Sequence, residues 1–393
     1  VEEKNELAKD IDKGDPSGRR PARRLGAFRE RVLLWDPEKL NTGWEDLLVA
    51  EGLSLLGSAF ADIEALDWVD RWLSYHLGVD IVEEELFIPS YTTLGVSIRG
   101  IKLYDYCGNW GLPLAAVSRI EAADSSREAY EKAIRRVSDY IIDHSPRGPE
   151  GVIRHGGFTR GVWVDTIYYT ALPLAKAYSL TGEERYAWEA MKQARLHARY
   201  LQDPRTALFF HDFDPERKIR TPGLWSRGNG WALIGLGEVL ERLDPSLPGY
   251  DEVRSSYLSL VDAILPLRDS TGMWRIVPDN RSSHLETSGT TMFCLGLSIG
   301  IAAGLLDPSL MTLVHGSFQE LVSWIEVEAH PERIGALMGC EEAAGVGGWE
   351  VHKTVPLGET TFGTGLFLKL IARLQQMGMD IHLSTLGRER KEI

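Results

Sequence analysis

The chain has 393 residues, 44% hydrophobic and 25% charged, a balance that excludes disorder over most of its length. Its 43 Lys+Arg against 57 Asp+Glu leave a formal charge of −14, which argues against nucleic acid as a partner, because that needs a basic footprint. The longest nearly apolar run, Cys294 to Leu306, falls short of the ~20 residues of a membrane span and is broken by Ser298 and glycines, so no membrane partner is expected.

Residues 1–35 are expected to form a flexible polar arm, with Arg19, Arg20, Arg23 and Arg24 around Pro21. Residues 36–393 are expected to form a single domain. The opening residues carry no signal-peptide pattern, and Cys107, Cys294 and Cys340 form no CxxC pair. A cytoplasmic location is the expectation, or secretion if a signal peptide has been removed from this chain. The sequon Asn280-Arg281-Ser282 is the only sign against a reducing compartment. Oligomeric state leaves no mark in the sequence.

After Trp35 the pattern is helical. Ser125 and Glu128 fit a capping box ahead of Tyr130, Ala133, Ile134, Val137, Tyr140 and Ile141, which recur at helical spacing. Thr181 and Glu184 repeat the box before Tyr186, Ala190, Ala194 and Leu201. Arg275–Asp279 is a short extended piece. A glycine followed closely by a bulky aromatic opens an apolar helix again and again, near Gly43, Gly108, Gly161, Gly228, Gly289 and Gly363. More charged, amphipathic helices fall between them, at about 59–77, 125–144, 183–202, 249–266 and 309–328. Helices apolar all round are buried on both sides, and helices with one polar face are outermost. This alternation predicts an all-α fold of two concentric rings, an (α/α)6 barrel. The period is too long and irregular for a helical solenoid.

In such a barrel the glycine-aromatic starts gather at one end, where rings, backbone N–H groups and helix dipoles face a pocket. Twelve tryptophans suit stacking on sugar rings, or filling the core. Asp165 sits inside an apolar run, GVWVDTIYY; burial there predicts a raised pKa and a general acid, or else a carboxylate pinning a neighbouring helix. Asp105, at the mouth of another inner helix, is the candidate second carboxylate or an N-cap. His211 lies in the aromatic loop FFHDFD, placed to contact a ligand or to hold the loop. Arg227, in WSRGNGW, offers a planar fork of donors to a carboxylate or to paired hydroxyls, or pairs with Asp212 or Asp214. No metal-binding or nucleotide-binding motif is present, so no metal site and no cofactor are expected.

These segments resemble the unsaturated rhamnogalacturonyl hydrolases of glycoside hydrolase family 105, with the unsaturated glucuronyl hydrolases as cousins. The resemblance is carried by WVDTIYYTALPLAKAYSLTG at 163–182, FFHDFD at 209–214 and WSRGNGW at 225–231. HLETSGTTMF at 284–293 and ETTFGTGLFL at 359–368 support it, and DYCGNWG at 105–111 occupies the place of the family's first carboxylate. It implies an (α/α)6 barrel and a glycosidase that hydrates the C4=C5 double bond left by polysaccharide lyases. Asp165 would protonate C4 and then assist water at C5, while Asp105 orients the ring. His211, Arg227 and Trp231 match sugar-subsite positions, with Trp44, Trp163, Trp225 and His155 shaping the same pocket. Some relatives carry His-Lys where this chain has His155-Gly156, which leaves the anchor of the substrate carboxylate open. Two other readings of the barrel are a conventional acid/base glycosidase on a saturated substrate and a sugar 2-epimerase built on His155 and His211.

Overall fold

The computed structural model describes residues 19–77, 107–122, 127–328, 330–343 and 345–383. Among these, the chain alternates between two kinds of helix. The first, after α1 (Arg19–Leu33), is α2 (Leu47–Phe60), followed by α3 (Ile63–Leu77). The pairs α4 (Leu112–Ala122) and α5 (Arg127–Asp143), α6 (Leu172–Thr181) and α7 (Glu184–Leu201), α8 (Ser226–Arg242) and α9 (Tyr250–Ile264), and α10 (Thr287–Ala302) and α11 (Met311–Ser323) follow. The short α12 (Trp349–His352) precedes the closing α13 (Thr361–Gln376). Helices α2, α4, α6, α8, α10 and α13 pack side by side in that order, and α13 returns to α2, so the inner ring is closed. The other long helices pack outside it, as an (α/α)6 barrel requires.

Burial follows the sequence pattern. Inner helix α10 (TSGTTMFCLGLSIGIA) is buried along nearly its whole length and carries no charged residue. Outer helix α5 buries Tyr130, Ile134, Val137 and Ile141 and exposes Lys132 and Arg136, a single apolar stripe. The ring closes through small residues. A Cβ on Gly52 would lie 2.6 Å from the Gly365 carbonyl oxygen, so glycine lets α2 and α13 touch backbone to backbone.

Two expectations are corrected. Arg19–Leu33 is a helix and not part of a loose arm: Leu25, Phe28 and Val32 recur on one buried face, and the Phe28 ring meets Phe367 edge-on at 5.2 Å. Three of its arginines, Arg24, Arg29 and Arg31, pair with the barrel. Arg29 Nε lies 2.5 Å from Asp62 Oδ2, Arg31 Nη2 2.6 Å from Glu359 Oε2, and Arg24 donates to the Ser323 carbonyl at the end of α11. Polar composition hid the apolar stripe. The second correction is local. Thr181 ends α6 and its hydroxyl donates to the Ala177 carbonyl at 2.7 Å, so the N-cap of α7 is Glu183 and no capping box forms there. Ser125, proposed for the other box, lies outside the described residues.

Short strands join the helices. Strand β1 (Val162–Trp163) pairs antiparallel with β2 (Asp212–Asp214), which pairs with β3 (Ile219–Arg220). Strand β4 (Trp274–Arg275) pairs with β5 (Leu285–Glu286), and β6 (Cys340–Glu341) with β7 (Leu357–Gly358). Strands β1, β5 and β7 each lie just before an inner helix. None of the helices among the described residues is long and apolar enough to cross a membrane.

A charge network lies inside the ring. Lys176 Nζ is 2.6 Å from Glu51 Oε1 and donates to Ser118 Oγ at 2.8 Å; Lys369 Nζ is 3.0 Å from Glu51 Oε2 and 3.5 Å from Glu238 Oε1. All four charged groups are buried. Removing one partner of such a pair strands a charge. Lys176→Met is therefore expected to lower unfolding stability by roughly 3–5 kcal/mol in urea denaturation. A loss below about 1 kcal/mol would show that the network carries no such weight.

Candidate active site

The starts of the inner helices meet at one end of the barrel. Near the start of α2, the Trp44 ring packs on Phe362 of α13 at 5.0 Å, and the Trp44 carbonyl accepts from Tyr169 Oη at 3.1 Å. At the start of α8, Arg227 Nη1 donates to Ser288 Oγ, in the first turn of α10, at 3.2 Å. The chain leading into α4 is tied in by Cys107, whose N–H donates to the His155 carbonyl at 3.2 Å. The glycines at these starts take two positions. Gly228, Gly289 and Gly363 fall in the first turns of α8, α10 and α13; Gly43 and Gly108 precede their helices by a few residues, and Gly161 precedes β1 and the turn that leads into α6.

Asp165 follows β1 after a single residue, Val164. Behind it, Ile167–Ala171 form a π-turn that leads into α6, with Pro173 at the start of that helix. Proline lacks an N–H and crowds the carbonyl four residues back, and widening the turn relieves both. The Asp165 side chain is 14% exposed, and its Oδ2 lies 3.3 Å from His211 Nε2, an ion-pair separation without an aligned hydrogen bond. Burial pushes this carboxyl up, but His211, by contact and by charge, outweighs it and holds Asp165 below the ordinary carboxylate range. The raised pKa expected from sequence is therefore corrected: an isolated buried carboxylate would be neutral, whereas this one faces an imidazole.

Aromatic rings frame this pair. Trp163 stacks on His155 at 4.0 Å and meets His211 edge-on at 5.4 Å. The His155 Nδ1 lies 3.0 Å from Thr166 Oγ1, and burial pushes its pKa down to about 3, so its ring is neutral. Trp225 stacks on the other neighbour, His211, at 4.6 Å. His211 thus links Asp165 to Trp163 and Trp225, and His155 stacks behind Trp163. Trp231 does not line this group. It is fully buried in α8, packed on Tyr168 at 4.8 Å and Tyr169 at 5.5 Å, beneath the site. Asp105 lies outside the described residues.

Arg227 is only 1% exposed, with its guanidinium 4.5 Å over the Trp225 ring and 4.7 Å over Phe362. Both of its terminal nitrogens are engaged: Nη1 by Ser288 and the Glu341 carbonyl at 2.7 Å, Nη2 by the Glu342 carbonyl at 3.0 Å. Its carboxylate neighbours are Glu341 at 3.5 Å and Glu286 at 4.0 Å, not Asp212 or Asp214. The fork expected to hold a substrate is spent on protein acceptors, because the chain around 341–342 brings two carbonyls within reach.

Sequence reasoning passed over three carboxyls. Asp212 pairs with Trp163 in the β1–β2 register, its Oδ1 is buried without a hydrogen bond, and burial pushes its pKa up to about 6. Glu45, beside Trp44, is pushed up to about 7 by burial and then by Asp46, with Arg227 opposing. Asp212 and Glu45 each adjoin a residue already singled out, which was the available signal. Glu341 had none, since only tertiary contact brings it to Trp225.

Known proteins resemble this chain in sequence and in fold. The family model described as Glycosyl Hydrolase Family 88 matches residues 114–377. The unsaturated rhamnogalacturonyl hydrolase YesR of Bacillus subtilis is 25% identical over 255 residues, 62% of this chain and 70% of that protein. An unsaturated 3S-rhamnoglycuronyl hydrolase of Alteromonas sp. (strain LOR) is 26% identical over 152 residues, 37% of each chain. A crystal structure described as a possible member of the GH105 family, from Klebsiella pneumoniae, superposes with a TM-score of 0.75 at 20% identity, covering 93% of this chain and 95% of that one, a likeness of fold. The family match spans more than half of the chain, which therefore belongs to Glycosyl Hydrolase Family 88.

Proposed function

We propose that this glycoside hydrolase removes a 4,5-unsaturated uronic acid from the non-reducing end of lyase-generated oligosaccharides by hydrating the C4=C5 double bond. The observation that carries the reading is Asp165, a nearly buried carboxylate beside His211 and framed by Trp163 and Trp225. The name of the Bacillus subtilis relative supports rhamnogalacturonan fragments, of pectin origin, as the source of the substrate.

The vinyl ether needs a proton at C4 and water at C5. Asp165 gives the proton, and positive charge develops at C5 and the ring oxygen. The carboxylate left behind then takes a proton from the water that adds at C5. The resulting hemiketal opens, and the sugar at C1 departs as an alcohol. His211, against Asp165, sets the direction of the carboxylate, and the half-buried rings of Trp163 and Trp44 offer apolar faces to the sugar, with the buried Trp225 backing His211. His155, held neutral by burial, is a poor second acid/base for His211, which weighs against a two-histidine epimerase.

Asp165 starts ionised in the free enzyme, since its pKa is depressed. An incoming uronate places a second negative charge nearby and displaces water, and both effects raise that pKa. Binding therefore takes up a proton. Above the ordinary carboxylate range kcat/KM is expected to fall with rising pH, approaching tenfold per unit, while kcat stays level to higher pH. Coincident pH profiles for the two parameters would contradict this coupling.

The direct test is the loss of ultraviolet absorbance when the conjugated enoate is hydrated, measured on lyase-generated oligosaccharides. Asp165→Asn should keep the circular dichroism of the parent and lose at least ~100-fold in kcat. Parent-like turnover in that variant would reject the mechanism, and turnover of saturated oligosaccharides alone would favour a conventional glycosidase.

A further inference from the structure

We propose that Glu341 is a positioning residue of the sugar site, the group that fixes Trp225 and Arg227 in its wall with the help of His352. This rests on the function proposed above, in which that wall holds the uronyl ring.

Glu341 is 1% exposed, on β6, and its own N–H is held by Glu286 Oε1 at 3.0 Å. Three donors converge on its carboxylate. Trp225 Nε1 donates to Oε2 at 2.9 Å, His352 Nδ1 lies 2.8 Å from Oε1, and Arg227 Nη2 stands 3.5 Å from Oε2. Only an acceptor-only group satisfies all three, and a carboxylate is the side chain of that kind. Burial pushes the Glu341 carboxyl up, but His352, Arg227 and Trp225 together hold it below the ordinary range, so it stays ionised.

The consequence reaches the site through Trp225. The only polar group of its indole is spent on Glu341. Its ring is stacked against His352 at 5.6 Å, His211 at 4.6 Å and the Arg227 guanidinium at 4.5 Å. His211 in turn faces Asp165. The segment carrying His352 is docked tightly on the chain before Trp225: a Cβ on Gly223 would lie 2.5 Å from Gly348 Cα. Trp349 then packs on the apolar cluster of Trp225, Ile276 and Val277. The excursion between α11 and α13 is thus built around one carboxylate that points three side chains.

Glu341→Gln keeps the volume but turns one amide NH2 toward a donor, so the wall must relax. Affinity is read by tryptophan fluorescence titration with an unsaturated uronyl disaccharide, comparing Asp165→Asn with Asp165→Asn/Glu341→Gln. The dissociation constant is expected to rise roughly tenfold, the scale of one charge-assisted hydrogen bond. With the parent Asp165 present, Glu341→Gln should raise KM likewise and keep kcat within about threefold, because the proton donor is untouched. His352→Leu, which removes one of the three donors and leaves the carboxylate, should raise the dissociation constant by about threefold and decides the matter if Glu341→Gln does not fold. Unchanged affinity in either folded variant, or a fall in kcat at unchanged affinity, overturns the proposal. Turnover by the parent enzyme is scored separately. A parent that binds the disaccharide without turning it over sinks the reaction and leaves the affinity comparison to judge Glu341; a parent that does neither overturns both.

Discussion

A carboxylate on the barrel axis governs the inner ring. Glu51, fully buried on α2, accepts from Tyr168 in the π-turn at 2.6 Å and faces Lys176 on α6 and Lys369 on α13. Lys176 reaches on to Ser118 of α4, and Lys369 to Glu238 of α8. Five of the six inner helices are joined by groups whose charges balance two against two. Desolvating such ions is expensive, and leaving one unpaired is worse. Rotation or slip of any of these five helices breaks a contact that nothing apolar replaces, so the network favours one arrangement of them among those that hydrophobic packing alone allows.

The site is built on top of this layer. Lys369 Nζ donates to Tyr168 Oη at 2.6 Å, and the Tyr168 ring packs on Trp231 and Tyr169. Tyr169 then holds the carbonyl of Trp44. From axis to mouth there is a continuous stack: ions, then buried aromatic rings, then the half-buried fringe of Asp165, Trp163 and Trp44. Trp231 belongs to the middle layer. It packs as a buried floor beneath the rings above it.

Electrostatics at the mouth resolves a difficulty posed by composition. A chain of formal charge −14 offers an anionic sugar no long-range attraction. Near the site, however, Glu45 and Asp212 are pushed toward neutrality by burial, which removes negative charge where it would oppose the ligand. Glu286 caps the start of α10, accepting from Ser288 and Gly289 backbone N–H groups, while Glu341 is turned toward Trp225, His352 and Arg227. The acidic groups are thus either internally satisfied or partly protonated. His211 remains beside Asp165, the carboxylate proposed above as the proton donor.

The two-ring architecture was legible in the residues because helix burial is periodic: α10 is apolar all round, α5 on one face only, and the alternation repeats along the chain. Trp163 and Trp225 each lie just before an inner-helix start, which placed them at one end of the barrel; His211 comes from the loop after α7 and meets both rings beside Asp165. Local sequence failed where the deciding partner is remote. Arg19–Leu33 hid a stripe of Leu25, Phe28 and Val32 among arginines whose partners, Asp62 and Glu359, lie elsewhere in the chain. The protonation of Asp165 depended on an imidazole dozens of residues away, and the fork of Arg227 on carbonyls more than a hundred residues away. Periodicity determines which face of a helix is buried, because that is a property of neighbours three and four residues apart. Charge state and hydrogen-bond partners depend on distances of a few ångströms between segments, and only the closed barrel sets those.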